Sequence, residues 1–98
     1  MHYGFKGRAA RVTTVAAAQT DQEIESGRTI DLYKVLLSNS SGSNENVVFE
    51  KADGTSLFTL SAASGTTPID LNWLCDAGLQ ITTGANTTCI LFHSQGGA

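Results

Sequence analysis

Thr29-Ile-Asp-Leu-Tyr-Lys-Val-Leu-Leu-Ser38 is the longest apolar run in the chain, and its aliphatic, aromatic and β-branched residues suit a pleated, half-buried surface. It is expected to be the central strand. A polar loop, Asn39-Ser-Ser-Gly-Ser-Asn-Glu45, leads to Asn46-Val-Val-Phe-Glu-Lys51, then to Ala52-Asp-Gly-Thr55 and Ser56-Leu-Phe-Thr-Leu60. Asp-Gly between two alternating runs is a hairpin signal, because a tight turn needs positive φ and glycine adopts it without a Cβ clash. With Asp53 and Gly54 as the two turn residues, Val47 faces Leu60 and Phe49 faces Phe58. Both rings then share one face, with Glu50 and Thr59 on the other. A bulge at Gly54 would shift this pairing.

Outward from this hairpin the chain reads as short strands and small-residue turns. Thr67-Pro-Ile-Asp-Leu-Asn-Trp73 alternates Ile69, Leu71 and Trp73 with Asp70 and Asn72, so one face is buried and the other wet. Pro68, with no amide proton, fits a strand's beginning or an edge. Leu79-Gln-Ile-Thr-Thr83 is a short strand. Thr87-Thr-Cys-Ile-Leu-Phe-His93, apolar on both faces in its middle, is expected to be central in its sheet. Before the central run, the alanines of Arg11-Val-Thr-Thr-Val-Ala-Ala-Ala18 permit a helix, but Val12 to Val15 favour a strand. Gln19 to Glu25 suggests a short edge strand or an irregular crossing. About seven strands with glycine turns predict an all-β, antiparallel two-sheet β-sandwich, jelly-roll or Ig-like, over residues 12–98.

Ninety-eight residues make one domain with a modest core. A net charge of −3 is too small to steer a nucleic acid, but its distribution is uneven. Lys6, Arg8 and Arg11 put three positive charges in the first eleven residues, where no carboxylate lies, so the remaining chain carries −6. Residues 1–11 therefore read either as a frayed terminus or as an arm whose Tyr3, Phe5, Lys6, Arg8 and Arg11 grip a partner. No apolar segment approaches the about 20 residues that cross a bilayer, and the start lacks a signal-peptide hydrophobic region; use without secretion is expected. In that setting Cys75 and Cys89 read as free, buried thiols rather than a bridge.

No catalytic constellation stands out. His2 and His93 have no cysteine or carboxylate at metal-ligand spacing. Cys89 sits mid-strand, where a thiol behaves as a small inert hydrophobe. Asp31, Asp70 and Asp76 show no paired spacing for acid and base roles, and the loop from Asn39 to Asn46 holds a single carboxylate, Glu45, too little charge for a good calcium site. No phosphate-binding glycine loop is present. Neither enzyme activity, a cofactor, a metal, nucleic acid nor a membrane is expected.

The succession Ser26-Gly-Arg-Thr-Ile30, Leu32-Tyr-Lys-Val-Leu-Leu-Ser-Asn39, Val47-Val-Phe49, Ala52-Asp-Gly-Thr55 and Gly78-Leu-Gln-Ile-Thr-Thr-Gly84 resembles small β-sandwich virion proteins of tailed bacteriophages, over roughly Ser26 to Ser94. What the resemblance implies is a capsid decoration, or cement, protein made in the host cytoplasm. Such a protein binds the major capsid protein on the outer surface of the assembled head, commonly as a homotrimer. Its terminal arm role falls here, by composition, on Tyr3, Phe5, Lys6, Arg8 and Arg11. The rival expectations are a tail, neck or fibre-associated virion subunit and a carbohydrate-binding module stacking sugars on Tyr33 or Trp73.

Overall fold

The apolar run that begins at Thr29 becomes β3 (Ile30–Asn39), which has a hydrogen-bonded strand on either side. The structure, a computed structural model, describes residues 10–25, 28–75 and 78–94. The other strands are β1 (Ala10–Val15), β2 (Gln22–Ile24), β4 (Glu45–Lys51), β5 (Ser56–Ala62), β6 (Gly65–Cys75), β7 (Leu79–Thr82) and β8 (Thr87–Ser94). The described residues form eight strands rather than about seven. The addition is β2, whose single inward residue, Ile24, anchors an otherwise polar stretch at a sheet edge.

Two four-stranded sheets form, in the orders β1-β8-β3-β6 and β2-β7-β4-β5, with every neighbouring pair antiparallel. Four of these pairs are nested: β1 with β8, β2 with β7, β3 with β6, β4 with β5. That is one long hairpin rolled into a sandwich, so the architecture is a jelly roll rather than an Ig-like sandwich.

The hairpin keeps its expected register at the rings, Val47 opposite Leu60 and Phe49 opposite Phe58, but reaches it by another route. Gly54 N–H donates to Lys51 O and Lys51 N–H to Thr55 O, both at 2.9 Å, so the turn holds three residues, Ala52 to Gly54, with Gly54 at φ 90°. Such a turn moves the pairing by one residue, to Glu50 opposite Ser56. Leu57, left without a partner, takes up the slip before Phe58. A second irregularity lies in β3 between Leu32 and Lys34. It changes which residues point inward, from Ile30 and Leu32 to Val35, Leu37 and Asn39, and explains the three-residue step from Leu32 to Val35 in a strand of otherwise two-residue period.

The core between the sheets is Ile30, Leu32, Val35, Leu37, Cys89 and Leu91 on one side and Ile24, Val47, Phe49, Leu79 and Ile81 on the other. Ile69, Leu71 and Trp73 are half-buried against it, alternating with exposed neighbours as expected of a one-sided strand. β6 is an edge strand, where Pro68 withholds no ladder bond. β8 is central, also as expected. The alanines after Val15 do not continue β1. They turn, with Ala18 at φ 61° donating its N–H to Gly84 O at 2.8 Å.

Candidate functional site

Alternating strand direction puts the loops after β1, β3, β5 and β7 at one end of the sandwich, and polar side chains tie them together there. Asn39, buried at the end of β3, donates through Nδ2 to Ser43 O (2.7 Å) and Ala62 O (2.9 Å), and its Oδ1 accepts from Ser41 N–H at 2.8 Å. Thr83 Oγ1 donates to Ala16 O at 2.7 Å and accepts from Gln19 N–H at 2.9 Å. The Glu45 carboxylate accepts from Thr87 Oγ1 (2.6 Å), Asn86 Nδ2 (3.0 Å) and Asn86 N–H (2.9 Å). Gly84 backs onto it so closely that an added Cβ would lie 2.6 Å from Oε1. The oxygen-rich loop after β3 thus spends Asn39 and Glu45 on the fold.

These hydrogen bonds, the Thr87 hydroxyl first and then Asn86, hold the Glu45 carboxyl below its ordinary range. A depressed carboxylate adds stability above its unfolded pKa of about 4.3, and that stability is lost as pH falls through the folded value. Glu45→Gln is therefore expected to be less stable than the parent in urea melts at neutral pH, with the gap closing on acidification below about pH 4. A gap independent of pH would show that the carboxylate charge contributes nothing. On the outer face of the second sheet the sign is reversed: Asp21's carboxyl beside Glu50 pushes Glu50 up.

The buried titratable groups are equally committed. In the neutral ring His93 Nδ1 carries the proton, because its partner at 2.6 Å is the Ser94 carbonyl, which can only accept; Nε2 then accepts from Thr13 Oγ1 at 2.7 Å. Cys75 and Cys89 are both buried and not bridged, as expected, and burial pushes the Cys89 thiol up to about 12, far from a nucleophile. Among the described residues no three His, Cys, Asp or Glu side chains converge on a point where a metal ion could sit.

The opposite end, with the turn between β4 and β5, has a groove of about 400 Å³ lined by Lys51, Ala52, Asp53, Leu57, Trp73, Leu74 and Cys75. Leu57, the residue skipped in the β4–β5 register, lines it together with Trp73, Leu74 and Cys75 of β6. An aromatic chain runs from the core to Trp73 in its wall: Phe49 stacks on Phe58 at 4.6 Å, and Phe58 meets the Trp73 ring nearly edge-on at 5.0 Å and 76°. Leu74 is an exposed wall. On the rim, Asp53's carboxyl is held down by the Thr55 hydroxyl and N–H, while Lys51 is solvated. Sequence reasoning singled out Trp73 as a stacking ring but not the groove, since residues 51 to 57 meet 73 to 75 only through the packing of two sheets. Tyr33 sits at the irregularity in β3 and does not line it.

A second exposed surface is the outer face of the first sheet. Cross-strand pairing sets Val12 beside Phe92, and Thr14, Ile90, Leu36 and Pro68 in one row. Val12 is 62% exposed, and Phe92, Ile90 and Leu36 are half-buried. Of the expected arm residues, Tyr3, Phe5, Lys6 and Arg8 lie outside the described residues. Arg11 is a strand residue, opposite His93 in β1, so the division between residues 11 and 12 falls inside a strand. Its guanidinium lies 3.8 Å from the Glu25 carboxylate and links the edges of the two sheets. Compared with known protein families and with curated proteins, the chain matches no family model and no curated sequence.

Proposed function

We propose that the chain is a structural protein of a tailed-bacteriophage virion, a capsid decoration protein that binds the outer surface of the assembled head and stabilises it. The observation that carries this reading is the eight-stranded jelly roll whose polar groups are spent on holding its own loops: the described residues offer apolar surface for contact and no assembled acid, base or nucleophile. Jelly rolls recur among viral capsid proteins, and this support is by analogy of fold. The resemblance of the turn-and-strand succession to small virion sandwiches points the same way. A shell packed with DNA is under internal pressure, so a rigid binder spanning subunit boundaries adds interface free energy that must be broken before the shell parts. The basic, ring-bearing residues before β1 complement an acidic partner surface.

The test is co-sedimentation with heads of the phage that encodes the protein. Because β1 starts at Ala10, the informative truncation removes residues 1 to 9 and leaves Arg11 in its sheet. The truncated protein is expected to retain its melting transition and lose head binding. Near-normal binding by the truncated protein would overturn the arm's role, and no binding by the full chain would overturn the reading itself. A second reading rests on the groove: Trp73, Leu57 and Leu74 with Lys51 and Asp53 at the rim suit a sugar ring, as in a carbohydrate-binding sandwich. A glycan array separates the two.

A further inference from the structure

The four sheet edges are not alike. β6 carries Pro68 and a register shift, and β5 carries the Leu57 bulge. β2 is three residues long and flanked by Asp21 and Glu25 at φ 50° and 51°. Each of these devices blocks the approach of another strand. β1 has none of them. Its residues pair with β8 in unbroken register from Ala10 to Val15, with no proline or bulge, and Val12 to Val15 are all β-branched. Its one charge, Arg11, is turned to Glu25 of the same chain. Among the described residues nothing pairs with its outer side, and Val12 projects from it as the most exposed large apolar side chain there.

From this edge we infer that β1 pairs antiparallel with β1 of a second copy, about a two-fold axis through Val12. The unpaired backbone donors and acceptors of an edge ask for a strand as their partner. The edge is compatible with its own reverse. With Val12 opposite Val12, Arg11 faces Thr13 of the second copy and no like charges meet, whereas centring on Arg11 would oppose two cations. The same register keeps Thr13 and Val15 facing the core. It also joins the outer apolar rows of Val12, Phe92, Ile90 and Leu36 into one surface across both subunits. This pairing does not rest on the capsid reading, and it differs from the three-fold association that decoration proteins suggest.

Sedimentation equilibrium of the full chain tests it. The expected mass is twice 10.3 kDa. Val12→Lys with Thr14→Lys, both at exposed positions, is expected to halve it, while Thr59→Lys on the β5 edge leaves it unchanged. As a measurement independent of how the lysines affect folding, Val12→Cys should give a disulfide-linked dimer on mild oxidation. Thr14→Cys should not, since the two thiols would stand about 14 Å apart along the strands. A monomeric or trimeric parent, a dimer insensitive to the lysines, or cross-linking through position 14 instead of 12 would each overturn the inference.

Discussion

Phe49→Ala is expected to lower the unfolding free energy by about 3–5 kcal/mol, the usual cost of deleting a buried ring. Phe49 is fully buried in a central strand, between Phe58 on β5 and Ile81 on β7. Three losses coincide there: the transfer free energy of the phenyl group, the stacking with Phe58, and the void that backbone ladders on both sides prevent from collapsing. In a domain of this size the melting temperature should fall by on the order of 15–30 °C, read by calorimetry. Phe58 would also lose the ring that sets its tilt against Trp73, so the fluorescence of the only tryptophan should shift even where the protein remains folded. Phe49→Leu, which keeps most of the volume, should cost much less. A loss below about 1 kcal/mol for the alanine variant would mean that the two sheets close over the gap.

The ring pair behind this expectation was legible in the residues, because Asp53-Gly54 marks a turn and the alternation of Val47, Phe49, Phe58 and Leu60 admits one register on a buried face. The route to it was not. A three-residue turn followed by a bulge at Leu57 gives the same ring register as a two-residue turn alone, and nothing in Ser56-Leu57-Phe58 distinguishes them locally. Likewise the step from Leu32 to Val35 looks like a continuous apolar run until neighbouring strands show which residues point inward. The choice between jelly roll and Ig-like sandwich depended on pairings as distant as Ala10 with Ser94, beyond the reach of period and turn chemistry. The surfaces were less legible still: the groove beside Trp73 and the unguarded edge of β1 exist only once strands from both ends of the chain are side by side. In the sequence Glu45 is only the single carboxylate of a loop with too little charge for calcium, and its use as a clamp depends on Asn86 and Thr87, more than forty residues away.

Asn39 separates charge from shape most sharply. Asn39→Ala removes two donations to backbone carbonyl oxygens, the one to Ala62 buried, at about 1–3 kcal/mol. Asn39→Asp keeps the shape but places a carboxylate oxygen where Nδ2 now lies 2.7 and 2.9 Å from two carbonyl oxygens, and at neutral pH it should be the more destabilised variant. Protonation restores one donor, so the folded state raises the pKa of this carboxyl above the unfolded value of about 3.9. A raised pKa contributes stability that is fully present below the unfolded value and is lost as pH rises through the folded one. The deficit of Asn39→Asp relative to the parent should accordingly grow from pH 4 to pH 7, while that of Asn39→Ala stays flat. Comparison with the parent at each pH removes the opposite trend from Glu45. Denaturant melts of the three proteins at both pH values decide the point: equal, pH-independent deficits for the two variants would mean that Asn39 acts by filling space and not by donating to Ser43 and Ala62.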